Sequence, residues 1–115
     1  MVSIEMIRGD TKKIKFQRKR IDNTIIEEKT DKMYFTVKKS YYSKTFLFQK
    51  RLDKDIIYDE ESKYYYMTIE PNDTNELDYN TYVFDIEIIK NGEVKTIARG
   101  NLIIDKEVTF AENEV

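Results

Sequence analysis

Cysteine, histidine and tryptophan are absent from this 115-residue chain. Without cysteine there is no disulfide, no thiolate metal site and no thiol nucleophile. Without histidine the commonest general base, the usual zinc ligand and every histidine-based triad are missing. Glycine is scarce: Gly9, Gly92 and Gly100 lie far apart, so no glycine-rich phosphate loop exists. No apolar run reaches the length needed to cross a bilayer. The opening MVSIEMIRGD holds no long apolar stretch, so neither a secretory signal nor a membrane partner is expected. Charge of one sign is lacking as well. Twenty Lys and Arg against 22 Asp and Glu give a net charge of −2, which is not a field built for nucleic acid.

What is present suits a small folded body. The length fits one domain, residues 1–115. Hydrophobic residues make up 40% and aromatics 13%, enough for a modest core despite 37% charged residues. The clearest pattern runs from Leu77 to Phe110. Tyr82, Phe84, Ile86 and Ile88 alternate with Val83, Asp85 and Glu87, the period of a half-buried strand. Asn91-Gly92 then predicts a type I′ hairpin turn, because both central residues of that turn need φ > 0. The return strand, Glu93 to Arg99, is followed by Gly100, which predicts a bulge or bend before Leu102, Ile103 and Ile104.

Earlier parts of the chain read as shorter strands. Ser3 to Ile7 is a strand or arm, broken by Arg8-Gly9-Asp10. Thr11 to Gln17 sends Ile14 and Phe16 inward and Lys13 and Lys15 outward. Arg18 to Asp31 is polar, a long loop or a ragged pair of short strands. Lys32 to Lys39 places Met33, Phe35 and Val37 on one face. Thr45 to Arg51 sets Phe46 and Phe48 opposite Leu47 and Gln49. Asp53 to Ser62 is acidic and irregular, an exposed connection. Lys63 to Ile69 alternates Tyr64, Tyr66 and Thr68 against Tyr65, Met67 and Ile69 until Pro71 ends it. Asp73 to Leu77 reads as one helical turn with Asp73 as its N-cap. Strands at this spacing mean a sandwich or small barrel. Leu77 and then Tyr82 fit either the tyrosine corner of an immunoglobulin-like sandwich or an ordinary buried aromatic at a strand start.

Candidate chemistry is thin. Asp59, Glu60 and Glu61 are contiguous acids, the signature of a solvated loop rather than two carboxyls facing across a cleft. Asp53, Asp55 and Asp59 alternate somewhat like a calcium loop, but Ile56 and Ile57 stand where glycine and polar residues belong. No metal, cofactor or catalytic residue is expected. Lys12, Lys13, Lys15, Arg18, Lys19 and Arg20 form a basic patch around Phe16, read as the solvated face of a strand. Arg8-Gly9-Asp10 spells an integrin-binding tripeptide and reads as a glycine turn. The tyrosines offer more. Tyr41, Tyr42, Tyr58 and Tyr64 to Tyr66 cannot all be core, since alternation sends some outward. Exposed tyrosine suits a protein interface; a cross-strand ladder that only stabilises the sheet is the alternative. Tyr41, Tyr42, Tyr64 and Tyr66 are the candidate interface residues.

The order of four motifs resembles a known family. "RGDT" (Arg8 to Thr11) leads into a basic–aromatic strand; "FTVKKS" (Phe35 to Ser40) follows, then "IEPNDTNEL" (Ile69 to Leu77) and "YVFDIEIIKNGEVKTIARGNLIIDKEVT" (Tyr82 to Thr109). This is similar to the small immunoglobulin-like domains of tailed-phage and prophage structural proteins, above all the N-terminal domain of BppU-type baseplate upper proteins. Two positions depart from the family's pattern: Glu107 replaces Asp in the closing motif, and Phe84 stands where a second tyrosine is common. The resemblance implies an all-β, immunoglobulin-like antiparallel sandwich of about seven to eight strands. It implies a virion structural protein, not an enzyme: a tail, baseplate or neck adaptor. Its partners would be other phage structural proteins, met in multiple copies on a symmetric particle after synthesis in the bacterial cytoplasm. A capsid decoration protein is the runner-up. A carbohydrate- or host-surface-binding module, weakened by the lack of tryptophan, and a small early inhibitor of a host factor are the readings from other classes.

Overall fold

Alternation decides which side chains go inside, and two sheets result. A computed structural model of the chain describes residues 2–106. Its strands are β1 (Val2–Ile7), β2 (Lys12–Phe16), β3 (Lys32–Lys38), β4 (Phe48–Arg51), β5 (Ile56–Asp59), β6 (Tyr64–Ile69), β7 (Asn80–Lys90) and β8 (Glu93–Asp105). One short helix, α1 (Pro71–Thr74), sits between β6 and β7. One sheet has the order β1-β8-β7-β3-β4 and the other β2-β6-β5. Met33, Phe35, Val37, Phe84, Ile86 and Ile88 of the first sheet are buried in one cluster with Tyr65, Met67 and Ile69 of the second.

This is an immunoglobulin-like β-sandwich. β2, β6 and β5 take the places of strands B, E and D, while β8, β7, β3 and β4 take those of G, F, C and C′. All pairs are antiparallel except β1 with β8, which run parallel from Val2↔Gly100 to Ile7↔Asp105. In the constant-type arrangement a strand A lies beside strand B. Here the first strand joins the other sheet, and β2 stands at the edge.

The tyrosine corner is present. Tyr82, at 5% exposure, donates its hydroxyl to the Asp78 carbonyl at 2.8 Å. The bond ties the entry of β7 to the loop that delivers it. Asn91 (φ 52°) and Gly92 (φ 78°) form the expected left-handed pair at the β7–β8 turn.

Gly100 needs a different account from the one its position suggested. It does not interrupt β8; it pairs regularly with Phe84. The bulge lies earlier, where Ile86 faces Ala98 and Glu87 faces Thr96, leaving Ile97 over. A Cβ at Gly100 would lie 1.9 Å from the Val2 carbonyl oxygen and 2.8 Å from the Phe84 ring. Glycine is required there because β1 and an aromatic ring both close on the backbone.

Other expectations are corrected. Thr45 to Leu47 are not strand, and β4 begins only at Phe48, so Phe46 and Phe48 do not share a buried face. The acidic connection from Asp53 to Ser62 contains β5, whose Ile56 is fully buried. Four residues with one inward side chain are too few to show a period. Residues 18–31 form a loop carrying one isolated bridge, Lys19↔Ile25. Asp73 is not the N-cap. Glu70 holds that place, and Asp73, in the first turn, accepts the Glu70 amide at 2.7 Å. The closing Glu107-Val108-Thr109 motif lies outside the described residues.

Asp73 has a second duty. Lys50 on edge strand β4 points inward, 7% exposed, and its Nζ lies 2.6 Å from Asp73 Oδ2. An inward charge on an edge strand discourages pairing with foreign strands, and a buried charge needs its partner. Asp73→Asn, which strands the Lys50 charge, is expected to cost about 2–4 kcal/mol, and Lys50→Met, which removes it, less than about 1 kcal/mol, read by urea denaturation.

Tyr82 gives a second test. Burial first, then the Asp78 charge, raise its hydroxyl above the ordinary value of 10.0. Burial raises Tyr58 in the same direction. The folded state therefore holds these protons more tightly. That contribution is whole below pH ~10 and is lost as pH rises through the raised folded values. Tyr82→Phe is expected to cost about 1 kcal/mol at neutral pH. It is also expected to flatten the fall in thermal stability between about pH 9 and pH 11.

Candidate functional site

The four candidate tyrosines fall on different layers. Tyr64 and Tyr66 lie on the outer face of the three-stranded sheet, because Tyr65, Met67 and Ile69 take the inner one. Their rings are 6.1 Å apart, and Lys15 Nζ sits 4.9 Å from the Tyr64 centroid. Tyr66 is flanked across the strands by Lys15 and by Ile57, which is 54% exposed. Tyr65 goes the other way, stacked on Phe16 at 5.4 Å and against Tyr58 at 4.6 Å. The Tyr58 hydroxyl donates to the Glu27 carbonyl at 2.7 Å. Inward and outward tyrosines thus alternate as the sequence required.

Tyr41 and Tyr42 belong to the β3–β4 loop of the other sheet. The loop is built on a tight turn in which the Ser43 amide donates to the Ser40 carbonyl at 3.1 Å, and the two hydroxyls lie 3.2 Å apart. Tyr41 is pinned. Its hydroxyl donates to the Gly100 carbonyl at 3.2 Å, and the Arg99 guanidinium lies 4.2 Å from its ring centroid. Arg99 faces outward opposite Asp85, so Tyr41 reaches over the outer face of the five-stranded sheet as far as β8. Tyr42 is left at 95% exposure. Phe46 and Leu47 are also exposed, and the Leu47 amide closes the loop by donating to Val37 O at 2.7 Å.

Tyr42, Phe46 and Leu47 are a run of apolar side chains held in water by a braced turn. Sequence pattern missed Phe46 and Leu47 by folding them into a strand. The signal that marks the loop is the serine pair flanking Tyr41-Tyr42, which bonds to itself and stops the strand early.

In the comparisons, no protein-family description and no curated protein matches the sequence. Among solved structures the chain is similar to the NK cell receptor Nkp44, described as a triggering partner in natural cytotoxicity. The TM-score is 0.53 at 16% identity, over 90% of this chain and 96% of that one. That likeness carries the sandwich fold alone.

The remaining candidates are spoken for within the chain. Asp53 pairs with Lys29 at 2.8 Å, Asp55 accepts the Arg51 amide, and Asp59 accepts the Glu61 amide and the Ser62 hydroxyl. No cluster of three or more acidic residues that could hold a metal occurs among the described residues. In the Arg8-Gly9-Asp10 turn, Gly9 takes φ 81° and its amide donates to Thr74 Oγ1 at 2.9 Å. The Arg8 guanidinium donates to Leu77 O and lies 4.2 Å from the Tyr79 ring centroid. The tripeptide's arginine is therefore engaged by its own chain. Lys13 and Lys15 point outward opposite Ile14 and Phe16, as expected for a strand face.

Anchor and free surface separate by stability. Tyr41→Ala is expected to cost about 1–2 kcal/mol, from one hydrogen bond and one cation–π contact. Tyr42→Ser is expected to stay within about 0.5 kcal/mol, both read by chemical denaturation.

Proposed function

We propose that this chain is a protein-docking module of a tailed-phage particle, an adaptor or accessory piece of tail, baseplate or neck, and not an enzyme. The observation that carries the docking role is the β3–β4 loop, which presents Tyr42, Phe46 and Leu47 to solvent on a self-bonded turn. Single exposed apolar residues are ordinary; three within six residues on a braced loop are the composition of a binding patch. Aromatic side chains with few rotamers give large contact area at small entropic cost. Pinning Tyr41 fixes the base of the patch before a partner arrives, which lowers the ordering penalty of binding.

The resemblance of the motif order to BppU-type N-terminal domains supports the choice of assembly. Those motifs occupy the turn, β3, α1 and the β7–β8 hairpin, so they describe the frame and leave the binding loop to vary.

The reading predicts that the protein travels with assembled particles. Mass spectrometry of purified virions is expected to find it, with a copy number that is a small multiple of six for a tail or neck position and hundreds for a head decoration. A Tyr42→Ser, Phe46→Ser double variant is expected to fold normally and to be depleted from particles by about tenfold or more, the loss typical of two truncated interface anchors. Particles that never contain the chain would refute the reading.

A further inference from the structure

A second surface lies on the opposite side of the sandwich, and it stands whether or not the chain belongs to a particle. Between β1 and β2 the two layers do not close. A cleft of about 340 Å³ opens there, walled by Val2, Ile4, Ile14, Phe16, Ile97 and Ala98. Val2 is 57% exposed, and Ile4, Ile14, Phe16, Ile97 and Ala98 are half-buried. Along one rim runs β2, bonded to β6 on one side only. Among the described residues no backbone group takes its other side. The place beside it is the one strand A fills in a complete sandwich. An apolar slot next to an unpaired strand edge is the geometry that receives an added strand, with alternate side chains entering the slot.

Charge decides which strand. β2 carries Lys12, Lys13 and Lys15, and Arg18, Lys19 and Arg20 follow it. A second β2 pairing with the first would oppose lysine to lysine, which is destabilising. The guest must be acidic and alternately apolar. This chain contains such a segment directly after the described residues: Glu107-Val108-Thr109-Phe110-Ala111-Glu112-Asn113-Glu114-Val115, with three glutamates and no lysine or arginine. Its even-numbered apolar residues continue the inward series Leu102 and Ile104 of β8. The neighbours of β8 have run out by then: pairing stops at Ile7↔Asp105 on β1 and at Asn80↔Ile104 on β7.

We propose that residues 107–115 of one copy add as a strand to β2 of a second copy, with Val108 and Phe110 filling the cleft. Laid parallel to β2, the segment sets Val108 beside Ile14, Phe110 beside Phe16 and Glu112 beside Arg18, since both partners space these residues by two. The guest comes from another copy because of reach. Three residues separate Asp105 from Val108 and span at most about 10 Å. That distance does not cover both the roughly 10 Å between layers and the further step along β2 to Ile14. Each copy then gives a strand at one place and receives one at another, a head-to-tail contact that builds rings or filaments.

The test uses the full chain and two readouts: sedimentation velocity over a concentration series, and amide hydrogen exchange resolved at Lys12 to Gln17. The expected result is association that weakens with salt, accompanied by exchange at β2 slowed by at least about tenfold as concentration rises. Phe110→Asp, outside the packed body, is expected to abolish both. Arg18→Glu is expected to weaken association, and Glu112→Arg in the same chain to restore it. Three outcomes overturn the proposal: a chain that stays monomeric with β2 exchanging as in Phe110→Asp, association that survives Phe110→Asp, or β2 protection that depends on Phe110 but not on concentration. The last would mean that a copy fills its own cleft.

Discussion

Everything in this fold hangs on one alternate set of side chains from each sheet closing against the other. Fifteen hydrophobic residues are buried, and they come from every strand except β2, which adds half-buried Ile14 and Phe16. Each buried side chain of this size is worth roughly 1.5–3 kcal/mol, so the set outweighs the ~2–4 kcal/mol that a disulfide between layers would supply. The aromatic contacts Phe35–Phe84 at 5.1 Å and Phe16–Tyr65 at 5.4 Å fill the centre that a cystine and a tryptophan occupy in antibody domains. Such a core works in any redox environment. It also explains why the sheets tolerate so many exposed charges: the outward set carries none of the cohesion.

The sheet edges are handled one by one. β4 turns Lys50 inward and ties it to Asp73 on the loop before β7. β5 is only four residues long. β1 is locked by its parallel pairing with β8, where Gly100 allows its backbone to come close. β2 has lysines but keeps an apolar slot at its back. A short strand, an inward charge and a tight register are devices that refuse visitors. A cationic edge over a greasy slot refuses most and suits an acidic one.

Much of the frame was legible before any coordinates. Period-two alternation found β3, β6 and β7 with the correct faces, because each is long and one side of each is buried. Asn91-Gly92 named its own turn, since few residue pairs adopt that backbone. Tyr82 left two readings, and a single hydrogen bond to Asp78 decides for the corner. The short elements were opaque. β5 buries one residue on its inner face, and the strand at Phe46 looked longer than it is because a self-bonded serine turn leaves no trace in hydrophobic periodicity. Gly100 misled because a glycine that makes room and a glycine that bends the chain look identical in sequence. The candidate surface was half legible. Composition showed that some tyrosines must face water, but only topology puts Tyr41 and Tyr42 on one layer and Tyr64 and Tyr66 on the other. The slot beside β2 could not be read at all, for it exists only because the first strand crossed to the opposite sheet.

That crossing has a mechanical side. β1 and β8 run parallel, so Val2 leaves the sandwich at one end of the pair while Lys106 leaves at the other. Tension applied through these two points slides the strands along each other instead of peeling them apart. The hydrogen bonds between residues 2–7 and 100–105 are then loaded together rather than in sequence. A body wired in this way resists stretching along its length far better than its modest size suggests.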